Sequence, residues 1–223
     1  MMSRFWILCG VIACSVACQT ATRNEVVQIG SDNPIVKGAR KFVETPFLYD
    51  VSMGYYVTTY RDGKDAGKAV YPGGDIRPSH GVCTDLIVRA FREAGYDLQK
   101  LVHEDADKNF DAYPYARYNM TAFDRNIDHR RVPMLDAFFR RHAVSLPITT
   151  TADAMDQWRA GDIVVWDLTD SGNLDHIGIV SDKRIRTSNR PLVIDNFPTP
   201  GYVYESDRLE AWTIRGHYRF PKP

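Results

Sequence analysis

Neither charge is in excess in this chain: 28 Lys and Arg stand against 28 Asp and Glu among 223 residues. Without surplus cations there is little counterion release to drive binding to a polyphosphate, so no nucleic-acid partner is expected. No apolar run reaches the roughly 20 residues that span a bilayer. Internal repeats, heptads and low-complexity tracts are also missing, which excludes solenoids and coiled coils. Cysteine is scarce as well: Cys9, Cys14 and Cys18 crowd the start, and beyond them stands Cys83 alone. What is present, 44% hydrophobic and 12% aromatic residues, suffices for one packed core and excludes a disordered chain.

The first residues read as an address. Arg4 gives a positive start, and Phe5 to Ala17 is an uncharged, mostly apolar stretch ending in small residues, the pattern of a signal peptide over residues 1–17. Val11-Ile12-Ala13-Cys14 and Ser15-Val16-Ala17-Cys18 both resemble the box at which bacterial lipoprotein leaders are cut and lipidated. Cys18 leaves the longer apolar run and a polar tether, and is the expected lipid site. A plain cleaved leader is the alternative. Export to the periplasm or cell envelope follows from either, with membrane contact only through the anchor. Removing residues 1–17 takes away one Arg and no acid, so the exported chain stays neutral. No internal disulfide is possible once Cys83 is the only cysteine inside the domain.

Residues 18–34 read as a tether and 35–223 as one domain. Ile35, Val36, Ala39, Phe42 and Val43 recur at helical spacing behind Asp32 or Asn33 as a cap. Met53 to Tyr60 reads as a strand, Arg61 to Asp65 as a turn, and Lys68 to Tyr71 as a partner strand. A breaker-rich loop over residues 72–78 follows. Leu86, Ile87, Ala90, Phe91 and Ala94 then form a helical stripe that Gly95 ends. Residues 96–130 read as irregular, and Val132 to His142 as a further helix. Short β-rich runs follow at Asp162 to Trp166, His176 to Val180, Pro191 to Ile194 and Trp212 to Tyr218. Helices first and strands later is the order of an α+β fold with an antiparallel sheet.

Cys83 opens its helix directly after Gly81 and Val82. A sulfur in the first turn faces unpaired N–H groups and the positive end of the helix dipole, both of which favour thiolate over thiol. A nucleophilic Cys needs a base and a polar group to hold that base. Of six histidines, His176 begins a strand in which His176, Gly178 and Val180 share one face and Ile177 and Ile179 the other. Gly178 would leave room beside the imidazole. A hairpin with the run from Pro191 would bring Asp195 or Asn196 next to His176.

Several segments now carry a resemblance. Cys83-Thr84-Asp85-Leu86 opening a helix resembles the nucleophile motif of the NlpC-type papain-like cysteine peptidases and amidases. Trp158 to Trp166 is similar to their Gly-Asp-hydrophobic strand, and Asp175 to Val180 to their His strand. A closer likeness is to the exported bacterial domain-of-unknown-function 1287 family. It rests on Tyr71-Pro72-Gly73-Gly74-Asp75, Gly81 to Asp85, Asp97 to Asp105, Asn126 to Pro133 and Gly216 to Arg219. The resemblance implies a papain-like α+β fold, with N-terminal helices on a small antiparallel sheet. It implies Cys83 as nucleophile, His176 as base and Asp195 as the residue that orients it, in a position more often held by His. Asn196 is the weaker candidate for that position. Tyr71 matches a tyrosine that aids the oxyanion, with the Cys83 N–H as second donor and Asp85 beside the pocket. Met134 and Phe197-Pro198 depart from the closer family and put the pocket's detail in question.

Asn126 to Arg131 concentrates charge in a loop. It reads either as a solvated face or as a substrate-carboxylate site built from Asp128, His129, Arg130 and Arg131, since guanidinium forks suit carboxylates. No metal is expected: His103-Glu104-Asp105 and His80 near Cys83 lack the remaining ligands of a zinc site. The runs opening at Asp105 and Asp124 lack the Gly and Glu of a calcium loop. No cofactor is implied. The expectation is an exported thiol hydrolase that cuts an amide bond, in peptidoglycan peptides by the family resemblance. An acyltransferase using the same residues, or a non-catalytic envelope module binding peptide or a partner, are the alternatives. The oligomeric state has no signature in the sequence.

Overall fold

The computed structural model describes residues 25–53, 60–61, 64–65 and 69–222. In chain order these form β1 (Val26–Gln28), α1 (Pro34–Glu44), β2 (Leu48–Tyr49), β3 (Tyr60–Arg61), β4 (Lys64–Asp65), β5 (His80–Gly81), α2 (Cys83–Glu93), α3 (Leu98–Lys108) and α4 (Val132–His142). There follow β6 (Val144–Ser145), β7 (Ile163–Asp167), β8 (His176–Ile185), β9 (Pro191–Asn196), β10 (Val203–Ser206) and β11 (Thr213–Arg219). The leader with Cys18 lies outside the described residues, as do residues 54–59 of the expected strand from Met53. Tyr60–Arg61 does pair, but with Lys64–Asp65 rather than with Lys68 to Tyr71. Ala69 to Tyr71 form no strand.

Six strands pair antiparallel in the order β10-β9-β8-β7-β11-β6, and β1 adds a seventh against the far end of β8. This is the expected α+β class, with a larger sheet than expected. Val26–Gln28, inside the stretch read as a tether, is part of it. β8 runs to Ile185 instead of turning at Ser181, because Lys183 to Ile185 pair with β1.

Alternation divides the sheet as the pattern foretells. Ile163, Val165, Ile177, Ile179 and Ile194 point to the helices and merge with Leu86, Ile87, Phe91, Phe138 and Phe139 in the main core. Val164, Trp166, Val180 and Val193 point the other way, onto Trp158, Met155 and Leu209. Gly178 belongs to this second face, yet the space beside it is not open. A Cβ there would lie 2.7 Å from Val193 Cγ1 and 3.0 Å from the Trp166 ring, so those side chains fill the room left by the missing one.

The helices follow from their caps. Asn33 Oδ1 accepts from the N–H groups of Ile35 and Val36 at 2.9 and 3.3 Å, and Pro34 needs no acceptor in the first turn. Residues 98–108, read as irregular, are a helix capped by Asp97, which accepts from the Gln99 N–H at 3.2 Å. Its apolar stripe is narrow: Leu98, Val102 and Ala106 are buried among charged neighbours. α2 packs between α1 and the sheet, buried from Cys83 to Phe91.

Candidate active site

Two short parallel strands prepare the start of α2. β2 pairs with β5, Leu48 opposite His80 and Tyr49 opposite Gly81, so the chain reaches Val82 in extended conformation and enters the helix at Cys83. Gly81 is required by close packing: a Cβ would meet Phe47 at 2.8 Å and Asp85 at 2.9 Å. Asp85, third in the helix, turns back to accept the Val82 N–H at 2.7 Å. Asn196, the last residue of β9, donates to the Gly81 carbonyl at 3.1 Å. The N-terminus of α2 is thereby fixed to the end of the sheet where β8 begins and β9 finishes.

His176, first in β8, is 2% exposed, and its Nε2 lies 2.8 Å from Oδ2 of the fully buried Asp195. That leaves Nδ1 for the Cys83 thiol, which acts on the ring through both charge and a hydrogen bond. Burial alone would push the imidazole down. The charge of Cys83 and the Asp195 hydrogen bond outweigh it and raise the pKa to about 9, against an ordinary 6.5. Aromatic rings enclose the imidazole: Trp166 stacks at 5.3 Å, and Phe197 and Trp212 stand edge-on at 5.0 and 5.3 Å. Cys83, His176 and Asp195 thus meet, though 93 positions separate the first two.

A cavity of about 190 Å³ opens at Cys83, lined by Tyr49, Val51, Val82, Thr84, Ile127, Arg130, Val132 and Asp175. A second hollow of about 600 Å³ adjoins it, sharing Arg130, Val132 and Asp175 and adding Tyr118, Met120 and Arg131. Tyr49 was not expected here. Burial first, then the charge of Cys83, raise its hydroxyl pKa, so it remains an O–H donor at neutral pH. No local pattern marks it, because only the pairing of β2 with β5 carries it to the sulfur.

The other expected site residues fall as follows. Tyr71 does not line this cavity; its ring lies 4.9 Å from His103 and under Arg125. The reason is α3: Asp97 accepts from Gly73 N–H and Gln99 from Gly74 N–H, at 2.7 and 2.8 Å, drawing the loop to that helix. Asp85 does not face the pocket either; it is buried in a two-pronged pair with Arg130, at 2.8 and 3.1 Å. Of the expected carboxylate site, Asp128 and His129 are buried, whereas Arg130 lines both hollows and Arg131 the second. Asp128 accepts from Tyr115, Asp124 and Arg131, and burial holds His129 neutral by lowering its pKa to about 3. Asn196 fastens the helix start, and Asp195 meets the imidazole.

A family model described as "Domain of unknown function (DUF1287)" matches residues 38–220. An uncharacterized protein of Escherichia coli strain K12, YijF, is 41% identical over 194 residues, covering 87% of this chain and 84% of that one. Among solved structures, the chain is similar to an N-acetylmuramoyl-L-alanine amidase from Bacteroides uniformis, with TM-score 0.45 and 12% identity. That match covers 85% of this chain and 98% of the other.

Proposed function

The chain belongs to the DUF1287 family, and we propose that it is an exported cysteine hydrolase that cuts an amide bond in cell-wall peptides through Cys83, His176 and Asp195. The observation that carries this reading is the convergence of a helix-opening thiol, an imidazole and a buried carboxylate at one cavity. Burial of His176 and Asp195 excludes water from the pair, while the sulfur faces the cavity of about 190 Å³. Cys83 Sγ attacks the carbonyl carbon as a thiolate. The oxyanion so formed accepts from the Cys83 N–H, which has no acceptor within the helix, and from the Tyr49 hydroxyl. The imidazolium of His176 passes its Nδ1 proton to the leaving amine as the C–N bond breaks, leaving a thioester. His176 then takes a proton from water as that water attacks, and the C–S bond breaks to release the acid product and restore the thiolate beside the imidazolium. Asp195 keeps the Nε2 proton in place throughout.

The family resemblance and the leader supply the cell-wall substrate and the envelope address, with Cys18 as the anchoring residue. The deciding experiment is to incubate the purified exported chain, and its Cys83→Ala variant, with muropeptides and read product masses. Cleavage by the first and none by the second is expected. Identical traces overturn the cell-wall substrate. Cys83 that reacts with iodoacetamide below about pH 7 no faster than an ordinary thiol overturns the Cys–His pair.

A further inference from the structure

Asp195 answers to two cations, not one. Its Oδ2 receives His176 Nε2 at 2.8 Å and Arg208 Nη1 at 3.2 Å, while Oδ1 has no partner. Arg208 follows β10 and reaches back over the sheet's end. Its other arm donates to the Thr199 carbonyl, and the guanidinium lies 5.2 Å from the Phe197 ring and 5.9 Å from that of Trp212. These rings also wall His176, so one aromatic frame holds both cations against one carboxylate.

We propose that Arg208 is a positioning residue that shares Asp195 with His176 and thereby sets how firmly His176 keeps its proton. The inference rests on the Cys–His reading and extends it. Arg208 brings a permanent positive charge to within hydrogen-bond reach of the wholly buried Asp195 carboxylate. Its charge also opposes the imidazolium that Asp195 favours. An imidazole facing Asp195 alone would hold its proton too tightly to act as an acid toward a leaving amine. The remaining groups that bear on the pair, among the described residues, are Cys83 from α2, Tyr49 from β2 beside the sulfur, and exposed Asp175 just before His176. Trp166, Trp212 and Phe197 carry no charge. Arg208 is thus the only cation in hydrogen-bond contact with Asp195 besides the imidazole, among the described residues.

The test is the rate of Cys83 alkylation by iodoacetamide from about pH 4 to about pH 11. It reads two steps: a lower one as the thiolate forms, an upper one as the imidazolium loses its proton. Arg208→Gln and Arg208→Met are expected to move the upper step up by about one pH unit. Arg208→Met keeps the apolar stem against Phe197. Arg208→Lys should restore the wild-type profile, and in an Asp195→Asn background Arg208→Gln should shift the upper step less than it does with Asp195 present. Near-ultraviolet circular dichroism establishes that each variant is folded. An upper step that stays put or moves down in folded Arg208→Gln and Arg208→Met overturns the proposal. If neither folds, Arg208→Lys decides: an unmoved upper step supports charge sharing, and a raised one overturns it. A wild-type profile with a single step at an ordinary thiol's position would instead sink the Cys–His reading itself.

Discussion

His176 is pulled by opposing forces, and their balance predicts what each neighbour contributes. Burial lowers its pKa, whereas Cys83 and Asp195 raise it. Removing the sulfur removes the largest raising influence, so in Cys83→Ala the imidazole pKa should fall well below about 9 and the ring become neutral at lower pH. Histidine NMR titration of the two proteins checks this; an unchanged value means the thiol does not face the ring. Tyr49→Phe leaves the cavity's shape and removes the oxyanion donor proposed above, and should lower kcat by about a hundredfold with KM little changed. If kcat holds, the hydroxyl does not point at the oxyanion. The Cys83 and His176 positions could be read locally, one from a helix start and the other from a strand start. Tyr49 and Arg208 could not. Neither sits in a pattern that distinguishes it, and each arrives only through long-range pairing or a loop return.

At the level of elements, the start of α2 is the part on which the site depends. Asp85 supplies its N-terminal cap and also neutralises Arg130, and both side chains are almost wholly buried. Asp85→Ala should therefore cost about 3–5 kcal/mol, more than a lost cap alone, because it removes the carboxylate of a buried ion pair. Urea unfolding measures it, and a loss near 1 kcal/mol would show that the pair adds little beyond the cap. Helices with broad apolar stripes announced themselves: Val132 to His142 is observed with the expected bounds. α3 escaped because Leu98, Leu101, Val102 and Ala106 are interleaved with Lys100, Glu104, Asp105 and Lys108. Its Asp97 cap was the available signal. Strand alternation around His176 was legible since each face of the sheet meets a different core. The extension of β8 to Ile185 was not, because a distant strand, β1, causes it.

Across the whole molecule, the N-terminal stretch is woven into the body. β1 joins the sheet, α1 covers α2, and β2 delivers Tyr49 to the cavity. Ile35, Val36 and Ala39 are essentially inaccessible, and the first two alone represent roughly 1.5–3 kcal/mol each of apolar burial. A chain beginning at Pro46 gives that up against a typical total stability of about 5–15 kcal/mol. It is expected to melt far below the full chain, or not to fold, by circular dichroism. A retained cooperative transition at the same temperature would mean that α1 is an accessory. The overall α+β order could be read from where helical and alternating periods fall. The identity of the cavity walls could not, since they come from segments as far apart as Tyr49 and Asp175.

The indole of Trp166, laid almost flat on the His176 ring at 5.3 Å, gives the protein a built-in optical gauge. A ring that gains or loses a proton against an excited indole alters its emission, so fluorescence should track the working state of the imidazole without any added label. Trp158 presses on His217 in the same manner at 3.7 Å, and a Trp158→Phe chain would silence that second voice. Titrating such a chain with light alone would then report, in real time, whether a substrate analogue has taken the proton.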